Sequence, residues 1–241
     1  MNLKVLISSL SRVGLRTILM VAVGCAFVFG AAEMKARKPA IPAEPITVGK
    51  AFLLIPQQDL DLLTMSMRQD MLDYMEQRDS IYKKANVYMG LSWIEKMEPG
   101  YMRVRLSDVS DLQIKLLPLT KSTLPLVMTV YTIDDGNGTA DSTVKFFDNA
   151  MQEIPTSKFI SLPRPDDFYD IPKDSPVSRK DIEEAMPFYT MAVTVNPQTG
   201  ALTGRMTSAN SLTREEEERL KPYLRKELRW SWNGSKMQLM K

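Results

Sequence analysis

Residues 101–147 read YMRVRLSDVSDLQIKLLPLTKSTLPLVMTVYTIDDGNGTADSTVKFF. Four short apolar segments are separated here by turn-forming residues. In the first, Tyr101, Val104 and Leu106 are interleaved with Arg103 and Arg105, which give the strand one polar face. Ser107–Ser110 makes the next turn. Leu112, Ile114 and Leu116 then alternate with Gln113 and Lys115 until Pro118, which is expected to end the strand. Leu124–Thr132 is more continuously apolar, as a central strand is. Asp134–Gly138 is a loop of Gly, Asn and Asp, and Val144–Phe147 gives a fourth strand. Parallel pairing needs long crossovers, and loops this short leave no room for them, so the strands are expected to form an antiparallel meander. The alternation predicts one buried face.

The buried face needs a cover, and the preceding stretch supplies one. Leu60, Leu63, Met67, Met71, Tyr74 and Met75 recur at three- and four-residue intervals, while Asp59, Asp61, Arg68, Gln69 and Asp73 take the other positions. This spacing predicts one long helix over Pro56–Gln77, with Leu63, Met67 and Met71 toward the sheet. Pro56 or Gln57 opens it, and the early Asp59 and Asp61 suit its positive end. A strand near Val87–Ile94 follows, and Pro99-Gly100 turns the chain into the meander.

Downstream, Met151–Pro176 is rich in proline and reads as an ordered crossing segment. Ser178 opens a short helix, with Asp181 placed imperfectly for a capping box, and Met186-Pro187 stops it. Phe188–Val195 and Ala201–Met206 form a hairpin. Thr213 and Glu216 make a capping-box pair for a last helix reaching about Lys221. Trp230, Trp232 and Met237–Met240 return to the sheet. The fold class is therefore α+β, an antiparallel β-meander packed against helices. The order of elements gives two similar helix-plus-sheet halves in outline, near 46–150 and 176–241, without residue-level periodicity.

Length and composition agree with such a body. A chain of 241 residues, 44% hydrophobic and 25% charged, is globular rather than disordered. Residues 1–32 are read as a signal peptide. Lys4, Arg12 and Arg16 form a basic start, Ile18–Phe29 an apolar run, and Gly30-Ala31-Ala32 a small-residue cleavage region. An uncleaved anchor is the competing reading. Lipidation of Cys25 is disfavoured because Ala26–Ala32 continues the apolar run. Residues 33–45 carry Pro39, Pro42 and Pro45 and are read as an extended linker, so the body is 46–241.

Several chemistries are excluded by residue type. The formal charge is +2, but without the three positives of the leader 28 basic residues face 29 acidic ones. So balanced a surface gives no electrostatic case for nucleic acid. There is no histidine, and the one cysteine lies in the leader. The body therefore has no internal disulfide, no soft zinc site and no Ser-His-Asp or Cys-His nucleophile. No cofactor is expected.

Four features remain to weigh. The loop Asp134–Asp141 invites a calcium reading, but from Asp135 the required glycine position holds Ala140 and the terminal glutamate position holds Phe146. A looser set of Asp134, Asn137 and Asp141 is weighed against an ordinary hairpin loop. Asp70 with Asp73, and Asp166, Asp167 and Asp170, are the carboxylates a hydrolase would draw on. Phe168 and Tyr169 are weighed as an exposed patch against burial in the crossing segment. Trp230 and Trp232, two apart on a strand, share a face, either as core or as an aromatic platform for a sugar or partner.

The segment Arg68-Gln69-Asp70-Met71-Leu72-Asp73-Tyr74, with Lys115-Leu116-Leu117-Pro118 and Asp141-Ser142, resembles a secreted Bacteroidales family, domain-of-unknown-function family 3256. The resemblance spans Ala51–Met240. It implies export from a Gram-negative bacterium and an α+β fold, and it carries no catalytic residues over. The expected role is an exported, non-enzymatic protein that binds an envelope protein or has a structural part in the envelope. A glycan-binding or glycan-processing accessory protein and a divergent carboxylate-dependent hydrolase are the alternatives. Membrane contact is expected only through an uncleaved leader.

Overall fold

The computed structural model describes residues 44–78 and 82–240. The leader, Cys25 and the linker up to residue 43 lie outside them. Among the described residues no helix is long and apolar enough to cross a membrane.

The meander is present and larger than expected. Seven strands pair in chain order, each antiparallel to the next: β1 (Lys84–Ala85), β2 (Leu91–Glu98), β3 (Tyr101–Ser107), β4 (Ser110–Leu119), β5 (Ser122–Asp134), β6 (Ala140–Phe147) and β7 (Glu153–Ile154). Pro118 does not end β4. It sits at a register shift between Leu117 and Leu119, where one missing N–H is tolerated. The strand expected over Val87–Ile94 begins only at Leu91, since residues 86–90 form the loop between β1 and β2.

The long helix expected over Pro56–Gln77 is replaced by two helices. The first, α1 (Val48–Leu54), lies before Pro56, and the second, α2 (Met65–Arg78), starts late. Between them the chain makes a short 3-10 turn at Gln57–Asp59. The apolar spacing was still informative about burial: Leu60, Leu63 and Met71 are buried, and Met67 packs partly buried against the same core. The helix is broken because the backbone carbonyls of this segment are bonded to a side chain instead. Arg68, expected on the polar face, is 1% exposed. Its guanidinium donates to the carbonyls of Phe52, Leu53, Ile55, Leu60 and Leu63 and to Gln57 Oε1, the shortest being 2.6 Å to Ile55. The first three carbonyls belong to the C-terminal end of α1, whose last turn has no intrahelical donors. A cation there also suits the negative end of the helix dipole. Burial pushes the pKa of Arg68 down, yet a guanidinium stays protonated.

Both faces of the seven-stranded sheet are covered. Met102, Val104, Leu106, Leu112, Ile114, Val127 and Phe147 face α1 and α2. The residues of opposite parity, including Tyr101, Leu117, Leu126, Met128, Val130, Val144 and Phe146, face a second sheet and share one core with it. That sheet has the order β11-β10-β9-β8, from β8 (Met191–Val195), β9 (Leu202–Met206), β10 (Leu228–Trp232) and β11 (Met237–Leu239). The expectation of one buried face is thus corrected, for Gln113 and Lys115 are also buried. Their polar groups bond to the second sheet, which is why burial is tolerated.

Two seven-residue helices flank the second sheet: α3 (Arg179–Ala185) and α4 (Arg214–Leu220). Helices this short depend on their caps. Ser178 with Asp181 is a full reciprocal capping box, better than the sequence reading allowed, and Thr213 with Glu216 is another.

Candidate functional site

The two ends of the meander differ in chemistry. The chain enters at one of them: Asn149, just past β6, accepts from the Ile46 amide at 2.8 Å and donates to the Glu44 carbonyl at 3.1 Å. At this end the β2–β3 turn, α1 and α2 enclose a groove of about 890 Å³ whose lining includes Val48, Leu53, Leu72, Met97 and Leu116.

The opposite end carries the loop 86–90 and the turns after β3 and β5. The first loop is built around the buried Asn86. Its Oδ1 accepts from the amides of Tyr88 and Gly90, and its Nδ2 donates to Ser92 Oγ and to the Leu106 carbonyl. The Val87 amide is tied to the Leu62 carbonyl at 3.0 Å. This frame holds Met89 at φ 65, a left-handed conformation costly for a residue with a side chain. It presents Tyr88 at 67% and Met89 at 85% exposure. Val87, Leu91, Val109 and Ile133 are exposed at the same end of the strands. Asp61, Asp108 and Asp135, all exposed, stand among them, and Tyr88 donates to Asp61 at 3.4 Å.

The residues singled out from sequence are placed as follows. Phe168 and Trp230 are buried core, so neither forms an exposed aromatic surface. Trp230 lies over Gly204, where a Cβ would meet its ring at 3.0 Å, so the glycine makes room for the indole. Trp232 is partly buried and donates Nε1–H to the Pro118 carbonyl at 2.7 Å. Tyr169 is partly buried and lines a cavity with Tyr189 and Phe188.

The carboxylates are dispersed. Asp70 pairs with Lys84 at 2.7 Å, and Asp73 accepts from Gln69 at 2.7 Å. Asp166 pairs with Arg179, Asp167 accepts from the Arg164 amide, and Asp170 lies 4.0 Å from Arg225. In the loop after β5, Asp135 Oδ1 accepts from the amides of Asn137 and Thr139, which lowers its pKa. Asp134 bonds the Gly136 amide, and Asp141 bonds the Met191 amide of the second sheet. Asp134, Asn137 and Asp141 therefore serve three different contacts. Among the described residues no group of three His, Cys, Asp or Glu is gathered to hold a metal ion.

Sequence reasoning missed Asn86, Arg68 and Ser208. Asn86 is a lone polar residue before an apolar tetrad, and the Asn-x-x-x-Gly spacing was the available signal. Ser208, 1% exposed, carries a buried Oγ without a hydrogen-bond partner.

The architecture defines a class: an α+β body in which a seven-stranded meander lies between helices and a smaller antiparallel sheet. The chain belongs to the family described as "Protein of unknown function (DUF3256)", whose model matches residues 43–237. Its fold is similar to that of a domain of an uncharacterized protein from Porphyromonas gingivalis W83, with a TM-score of 0.67 and 20% identity over 80% of this chain and 96% of that one. No curated protein matches the chain.

Proposed function

We propose that this protein is an exported, non-enzymatic component of the cell envelope that binds another protein through the loop end of its large sheet. The leader and proline-bearing linker of the sequence support the export part. The preformed Asn86–Gly90 loop carries the binding part. Tyrosine and methionine are favoured in the centre of protein interfaces. Strained backbone held by a surrounding network is characteristic of functional loops, because the strain must be maintained. The nearby aspartates argue for a protein whose apolar pocket has a basic rim and against an anionic lipid surface, which would repel them.

The test is photo-crosslinking in the native envelope, with the crosslinker at Val109 of the full-length chain. A partner of defined mass is expected. The double variant Tyr88→Ala, Met89→Ala should lose it while keeping its thermal midpoint, since both side chains are exposed. Unchanged capture by the double variant would rule this surface out.

A further inference from the structure

We infer a second, independent site: the cavity beneath Tyr169, Phe188 and Tyr189 binds a neutral saccharide. It measures about 380 Å³, within the range of about 300–1,000 Å³ of small-molecule sites and at its small end.

Two observations carry the inference. The cavity has aromatic walls: Tyr169 and Tyr189 line it partly buried, and Phe188 stands half exposed. Aromatic faces of this kind take the C–H face of a pyranose ring, which is its apolar side. Second, its charges cancel. Arg179 is held between Asp166 at 2.6 Å and Glu183 at 2.7 Å, and Arg164 adds a second cation to the lining. Two cations and two anions leave no net charge to select an ionic ligand, while their planar heads remain donors and acceptors for hydroxyl groups. The site uses neither Trp230 nor the Tyr88–Met89 loop, so its failure and that of the protein-binding surface are separable.

The experiment applies the full-length protein to an array of neutral mono- and oligosaccharides, with choline and glucuronate as charged probes measured by saturation-transfer NMR. Binding to at least one neutral saccharide is expected. Phe188→Ala should weaken it about tenfold or more, and Arg179→Met about tenfold, the weight of roughly one hydrogen bond. Both side chains are largely exposed, so both variants should keep the thermal midpoint. The inference is overturned if no saccharide binds, if only a charged probe binds, or if binding is the same in both variants.

Discussion

At the residue scale the decisive side chain is Arg68. It is buried without a carboxylate among its hydrogen-bond partners, and it is satisfied by carbonyls that α1 and the following loop would otherwise leave unpaired. Removing it strands several buried acceptors at once. Arg68→Met is expected to cost about 3–5 kcal/mol in urea unfolding, since each buried acceptor left unpaired costs about 1–3 kcal/mol. Arg68→Lys should lose much of the same stability, since an ammonium cannot reproduce the planar fork. A loss within about 0.5 kcal/mol for Arg68→Met would refute the clamp, being the effect of an ordinary surface change. Tyr189 makes a second residue-level prediction. Burial, followed by the charges of Asp141 and Asp167, pushes its pKa up to about 12. An unfolded tyrosine titrates near 10. Its contribution is complete below about pH 10, and between about pH 10 and 12 the folded state holds the proton that the unfolded state has released, so stability falls as pH rises. Tyr101, also raised by burial, acts in the same direction. Tyr189→Phe should flatten part of the fall in urea midpoint between about pH 10 and pH 12; an unaltered slope would show that Tyr189 contributes nothing to it.

At the element scale the edge strand β8 shows how the two sheets are joined. Its outward backbone groups do not meet another strand. They meet side chains of the large sheet: the Met191 amide bonds Asp141, the Val193 amide bonds Ser142, and the Val195 amide bonds Gln113, which also donates to the Val193 carbonyl. An exposed edge is a hazard for aggregation, and here it is capped. Gln113→Leu keeps the volume approximately but leaves the Val195 amide and Val193 carbonyl unpaired. It is expected to cost about 1–3 kcal/mol and to raise amide hydrogen exchange at Val195 selectively. Unchanged exchange there would refute the capping role. These elements also show what sequence could reveal. Strand positions and the Thr213–Glu216 cap were legible because they depend on local periodicity and short spacings. The break of the first helix was not, because the same apolar spacing serves a helix or a segment wound around a buried guanidinium, and only tertiary structure chooses.

At the scale of the whole molecule, the meander was readable from alternation, but the second cover was not. Gln113 and Lys115 look like solvent-facing positions until the second sheet is in place. Their partners lie far along the chain, with Lys115 donating to the Pro197 carbonyl at 2.7 Å. Candidate sites were less legible still. Phe168 and Trp230 drew notice for their size, and size is as well spent in a core as on a surface. Six of the thirteen residues that carried the family resemblance join layers: Arg68 locks the helices, while Lys115, Leu117, Pro118, Asp141 and Ser142 hold the second sheet.

The entry point at Ile46 and the exposed loop at Met89 lie at opposite ends of the same strands. The chain between them, residues 46–89, runs through α1, α2 and β1 and through none of β2–β7. A mechanical pull between a tether at the first point and a partner at the second would therefore bear on the helices and on the Arg68 bonds that tie α1 to the start of α2, with the ladder of β2–β7 outside the load path.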